Sequence, residues 1–363
     1  MSFCSLLLVL FLFVGKVSNG QTIEKSRSYA ESFKVGPETE IEIMNKYGDV
    51  HIIPWKVDSV RFEIEVLVIG TKQSRVDKSF DYIEVDFKDS KYYVIAQTLF
   101  AGKSSFWNDV SDLTGAIFNS NTKTKIDYTV YLPANATLKV SNKYGNIYTT
   151  NHTGTVEFNL SNGNLKAHLL SGPSKITSEF GNINVNTMDE GTLEVSYGEC
   201  YLEKGGTLNI NGKSSEFHIE KAESLNLDSR RDKFYLDQVG KLQGITNFST
   251  IELKDLEDLL GLNTKYGEIE IHRFSDEVSD FNLWSDDTEI TLHFIDDKKY
   301  MMDFKVDDRT QVMYSAEITD IQSTELGGEE NLIRVESTVG SDKTRTIPIV
   351  INSRGGLISL KLK

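Results

Sequence analysis

Apolar and polar residues alternate along most of the chain with a period of two, in runs too short for helices. A longer period spaces the runs. Taking the aliphatic residue after each turn as the marker, it falls at Ile147, Leu165, Ile183, Cys200, Phe217, Phe234, Ile251, Ile269 and Ile290, with steps of 18, 18, 17, 17, 17, 17, 18 and 21. Two residues on, a second small or apolar position recurs at Thr149, Ala167, Val185, Leu202, Ile219, Leu236, Leu253, Ile271 and Leu292. A second strand per unit follows as Val156/Phe158, Leu193/Val195, Leu208/Ile210, Leu225/Leu227, Leu260/Leu262 and Phe281/Leu283. No unit of this size buries its own apolar stripe. Stacking the units about 4.8 Å apart closes a continuous core. The pattern therefore predicts an all-β, single-stranded β-solenoid, β-helix-like, with rungs of about 17–18 residues.

A small motif marks the turns. Lys-Tyr-Gly, then an acid or amide, then an aliphatic residue, stands at Lys46–Val50, Lys143–Ile147 and Lys265–Ile269. Asn162-Gly163, Phe180-Gly181 and Tyr197-Gly198 are its variants, and Ser214-Ser215, Arg231-Asp232 and Phe248-Ser249 replace it in the middle rungs. The motif reads as a solenoid corner. Glycine is expected to supply the positive φ, and the aromatic to cap the core edge. Cys200 falls on a core position and reads as a small hydrophobe, not a reactive thiol.

Outside the repeat the rhythm changes. Residues 28–98 alternate as strands expected to be mainly antiparallel, and a closing β segment follows Phe294. In 104–120, Phe106, Val110, Leu113 and Ile117 share one helical face, so a short amphipathic helix or ordered loop is expected there. The chain thus divides into residues 1–20, an N-terminal β region 21–140 carrying that insert, the solenoid repeat 141–295 and a closing segment 296–363.

The first twenty residues have a separate reading. Leu6–Val14 is an unbroken apolar run. It is shorter than the about 20 residues a membrane helix needs, and it matches a secretory signal ending at Ser18-Asn19-Gly20. No Lys or Arg precedes the run, which departs from the usual pattern. The chain is accordingly expected to be exported, to the periplasm, the outer-membrane surface or the outside, with no transmembrane segment once the signal is removed. Losing Lys16 with the signal takes the formal charge from −15 to −16. Such a chain repels phosphate backbones, which excludes nucleic acid as the expected partner. Cys200 is then the one remaining cysteine, so no internal disulfide forms and a bacterial envelope is favoured.

The stretch from Ile126 to Thr150, followed by serial Gly-Asn-Ile and Gly-Glu-Ile rungs, resembles the bacterial β-strand-repeat "putative adhesin" group, related to adhesin head domains of GIN type. The resemblance runs over roughly Glu40–Leu292 and rests on the serial spacing. It implies an exported β-solenoid of adhesin-like kind and brings no catalytic residues with it.

Catalytic motifs are absent: no His-Glu-x-x-His, Gly-x-Ser-x-Gly, P-loop or Cys-x-x-Cys occurs. The protein is expected not to be an enzyme and to need no cofactor. His272 and His293 share an outward place on successive rungs and read as two exposed histidines on a solvated strand, so no metal site is expected. The register yields one candidate ligand-binding patch. Outward positions beside Leu202, Ile219 and Leu236 put Tyr201, His218 and Tyr235 in one column and Glu203, Glu220 and Asp237 in the next. Stacked carboxylates repel, which raises a pKa or recruits a cation, and rings beside acids suit sugars or cationic groups. The expected partners are a cell-surface glycan, an envelope protein or a second copy of the chain. A carbohydrate-active β-helix enzyme using these outward acids, and an envelope-stress accessory protein, are the alternatives.

Overall fold

The computed structural model describes residues 22–100, 122–327, 331–340 and 345–362. The expected signal segment and the expected helical insert at 104–120 lie outside these residues. The marker column is continuous. Ile147, Leu165, Ile183, Cys200, Phe217, Phe234, Ile251, Ile269 and Ile290 pair coil to coil in parallel register. All are buried, and the Phe217 and Phe234 rings stack at 4.7 Å. Burial pushes the Cys200 thiol up to about 12, so it stays a neutral core side chain.

The column runs on past both ends of the repeat. Val50 pairs with Ile147 on one side and Tyr128 on the other, so the strands Glu40–Lys46 and Val50–Trp55 form a genuine coil around the first Lys-Tyr-Gly. At the other end Ile290 pairs with Ile358 in the strand Thr346–Leu362, which adds one more parallel coil from the last residues of the chain. Each coil lays one strand on each of two parallel sheets. In the second strand, the set that faces Phe158 is Ile176, Leu193, Ile210 and Leu227. Leu193 thus aligns with Ile210, not Leu208. That displaces one unit of the sequence alignment by two residues and keeps its face, because side chains repeat every second residue.

Antiparallel pieces flank the stack. Ile23–Lys34, Ser59–Gly70 and Thr122–Pro133 run antiparallel at one end, as do Ile83–Asp89 and Tyr93–Phe100. Lys299–Val306, Leu332–Gly340 and Ile321–Gly327 do so at the other. Among the described residues Ile23–Lys34 pairs on one side only, and it carries Glu24, Lys25, Arg27, Glu31 and Lys34, charges that discourage a further strand from adding. One element was not anticipated. Gln73–Asp81 is a helix whose Val76 and Phe80 are buried one turn apart. Its N-cap is Lys72, which makes no side-chain cap bond, so the usual start signal is missing. Among the described residues no helix is long and apolar enough to cross a membrane.

The corners correct two expectations. The positive φ belongs to the residue before the glycine, or before the Ser215, Asp232 or Ser249 that replaces it: Tyr47, Tyr144, Asn162, Phe180, Tyr197, Ser214, Arg231, Phe248 and Tyr266 lie between 51° and 66°. Tyr47 is half-buried and packs against the core edge, but the later corner rings do not cap it. Phe180 is 53% exposed, and pairs such as Phe180–Tyr197 stack on each other outside it at 5.1 Å. Glycine is needed for a different reason. A Cβ on Gly163 would sit 1.9 Å from the Gly145 carbonyl oxygen of the coil before. The fourth motif position also has a structural role. Asp49 Oδ1 accepts from the Asn146 backbone N–H and side-chain amide, both at 2.9 Å; Asn146 Oδ1 accepts from Asn164 in the same way, at 3.0 and 3.1 Å. The ladder satisfies corner amides that the sheets leave unpaired.

In the middle coils Asp232 takes over. Fully buried, it accepts from the Ser215 N–H at 2.8 Å, the Ser229 hydroxyl at 2.7 Å and the Arg230 N–H at 3.0 Å. Burial outweighs those three donors and raises its pKa above the ordinary 3.8. The folded state therefore holds the proton more tightly than the unfolded chain. This contribution to stability is fully present below 3.8 and is lost as pH rises through the raised value. Urea unfolding of the wild type and Asp232→Ala at several pH values should show the wild type's relative stability growing as pH falls from about 7 towards 4. A difference independent of pH would show that the carboxyl is not desolvated.

Candidate functional site

The outward face of the first strand carries the expected columns. Tyr201, His218 and Tyr235 are in register on three successive coils. Their rings stack at 4.7 and 4.9 Å. Glu203, Glu220 and Asp237 follow the buried Leu202, Ile219 and Leu236 and likewise face out. Five of the six surround one shallow hollow of about 370 Å³, together with Glu252 and Lys254; Glu203 lies beyond its rim.

Stacking has a chemical consequence. Each ring uses its face on its neighbour, so the column offers edges and polar tips, not open faces for a sugar ring or a cation to cover. The tips are already oriented. Tyr201 Oη donates to Glu199 at 3.0 Å, and that bond holds the phenol above its ordinary pKa. His218 Nε2 lies 2.7 Å from Glu216. Two of the three carboxylates are also engaged. Glu203 accepts from the Asn186 amide, and Asp237 pairs with Lys254 at 2.6 Å. Expected mutual repulsion is thus relieved locally by neighbours in adjoining coils. The hollow becomes a mixed surface of acceptors and donors, and the Lys254 ammonium stands where a cationic ligand would have to go.

Lys254 and Glu252 were not anticipated. They continue the two columns by one coil, since Tyr235 pairs with Glu252 and Leu236 with Leu253. The signal was readable, because Leu253 already marked the register. His272 and His293 do occupy matching places, with rings 5.0 Å apart, yet His293 is 7% exposed and is not a solvated surface residue. The coil Thr346–Leu362 covers it, placing Lys361 in register beside it.

Fold and surface together define a two-sheeted parallel β-solenoid that presents long, rigid columns of polar side chains. No family model matches the sequence, and no curated protein does. Three solved structures are similar in chain path. A "putative adhesin" of Parabacteroides distasonis is 11% identical, with 92% of this chain and 97% of that one covered and a TM-score of 0.34. A "putative lipid binding protein" of the same organism is 14% identical over 73% of this chain and 92% of that one, TM-score 0.33. A "putative cell adhesion protein" of Clostridium sporogenes is 11% identical over 93% and 100%, TM-score 0.18. At that distance the likeness says nothing of ligand or activity.

Proposed function

We propose that the chain is an exported, non-enzymatic binding module of a bacterial envelope, of the adhesin-like kind, and that the hollow around His218 and Tyr235 takes a polyhydroxylated ligand such as a cell-surface glycan. The observation carrying this is the composition of the hollow. Tyr hydroxyls, an imidazole, Glu220, Asp237, Glu252 and Lys254 line one opening on a rigid sheet. Sugar hydroxyls both donate and accept, and a carboxylate accepts from two adjacent hydroxyls at once. The engaged state of the acids supports binding over catalysis. A glycosidase needs one acid free to give a proton and a second free to attack or to activate water. Asp237 is held by Lys254 and Glu203 by Asn186, which leaves Glu220 without a second free acid in its column.

The test is a glycan array and an envelope-extract binding screen with the full chain, wild type against Glu220→Ala/Asp237→Ala. Both residues point outward, so the double variant should unfold within about 1 kcal/mol of wild type. Its glycan binding should fall at least about tenfold, the loss of one or two charge-assisted hydrogen bonds. Equal binding by the two proteins would remove this face from the function. Hydrolysis of any bound glycan would favour the carbohydrate-active alternative.

A further inference from the structure

We infer that Glu270, His272 and His293 form a binding site for a divalent transition-metal ion of the zinc type. The site begins in the coil after Glu252 and Lys254, on the same face as the hollow, and does not depend on the glycan reading.

Two coils build it. Glu270 and His272 are two apart on the strand Glu268–Phe274 and so point to the same side. Ile271 pairs with Leu292, which brings His293 of the next coil beside His272. One donor atom from each of the three residues lies within 4.8 Å of the other two. His293 Nε2 is 2.8 Å from Glu270 Oε1, and His272 Nδ1 is 3.9 Å from the same oxygen. A tetrahedral zinc ion with bonds of about 2.0–2.1 Å spaces its donors by about 3.4 Å. The observed distances of 2.8 and 3.9 Å bracket that value.

The surroundings fit a cation. Glu252, one coil back, has a carboxylate oxygen 3.5 Å from His272 Nε2, where it either orients the imidazole or completes the donor set. Two carboxylates then face the two imidazoles. Against them stand Lys254, already paired with Asp237, and Lys361 beside His293, so the local balance is negative with neutral histidines. Two nitrogen donors and one carboxylate select zinc, nickel or cobalt over calcium and magnesium, which prefer all-oxygen shells. Three protein ligands leave a fourth position for water or for a group from a partner. His293 is buried and the backbones are locked in register, so the donors are largely preorganised.

The experiment uses the full chain, purified without a polyhistidine tag, titrated with Co²⁺ by visible absorption and with Zn²⁺ by calorimetry. One Co²⁺ per chain is expected, with the intense visible bands of a four-coordinate ion. Zn²⁺ should displace it and a large excess of Ca²⁺ should not. Glu270→Gln and His272→Gln should each weaken Zn²⁺ binding at least about tenfold. His293→Gln should do the same, but because that residue is buried its circular dichroism must first match wild type. His272→Gln, on a half-buried residue, keeps the test decisive if His293→Gln misfolds. Absence of the cobalt bands in the wild type, unchanged affinity in both Glu270→Gln and His272→Gln, or ready displacement by Ca²⁺ overturns the proposal and leaves an ordinary histidine–carboxylate pair.

Discussion

Gly181→Ala is expected to destabilise the protein by about 3 kcal/mol, the upper end of the range for overpacking, although it adds a single methyl group to a surface turn. The new Cβ would lie 1.8 Å from the carbonyl oxygen of Gly163 in the preceding coil. The obstacle is backbone, and cannot swing aside as a side chain would. The two coils must separate locally, and a Cβ on Gly198 would likewise lie 2.1 Å from the Gly181 carbonyl oxygen, so the next corner is packed as closely and the disturbance passes to the next coil as well. In a stack whose stability is a sum of nearest-neighbour interfaces, weakening two of them lowers the unfolding midpoint and opens that corner to proteases. Gly261→Ala is the control. Its Cβ would meet nothing nearer than the Gln243 side chain at 3.5 Å, so little change is expected. Urea unfolding and limited proteolysis of both variants check this. Equal midpoints would mean that corner glycines are not there for close approach.

The second large effect is in the core. Phe234→Ala should cost about 3–5 kcal/mol, the range for deleting a fully buried aromatic ring. Phe234 has no solvent exposure and its ring lies within 7° of parallel to that of Phe217. A double-mutant cycle with Phe217→Ala should return a coupling of about 0.5–1.5 kcal/mol, since removing one ring already strips the other of its stacking partner. A cost below about 1 kcal/mol at Phe234 would contradict a packed column.

Both predictions rest on a register that the residues themselves announce. A β-strand alternates every two residues, so an apolar marker repeating every 17 or 18 assigns each side chain to the inside or outside of its coil. That is why Cys200 reads as core and why Tyr201, His218 and Tyr235 read as one outward column before any coordinates exist. The helix Gln73–Asp81 was not legible, because its two buried apolar residues are set among charged ones and no capping residue opens it. The corner was legible as a corner and misread in detail. Asn162, Ser214 and Arg231 take the same left-handed backbone as Tyr144. That conformation costs a non-glycine residue about 1 kcal/mol; asparagine tolerates it better than most, but Ser214 and Arg231 carry no mark of it.

By itself, then, the chain determined its period, its two-faced coils and the columns they expose, because local alternation carries that information. Only the tertiary structure decided what touches those columns from far along the chain. The strand Thr346–Leu362 returns after the antiparallel segment between it and Phe294 to cover His293, and it places Lys361 beside that ring. Contacts across such separations depend on where the chain closes its loops, which no local pattern of apolar and polar residues encodes.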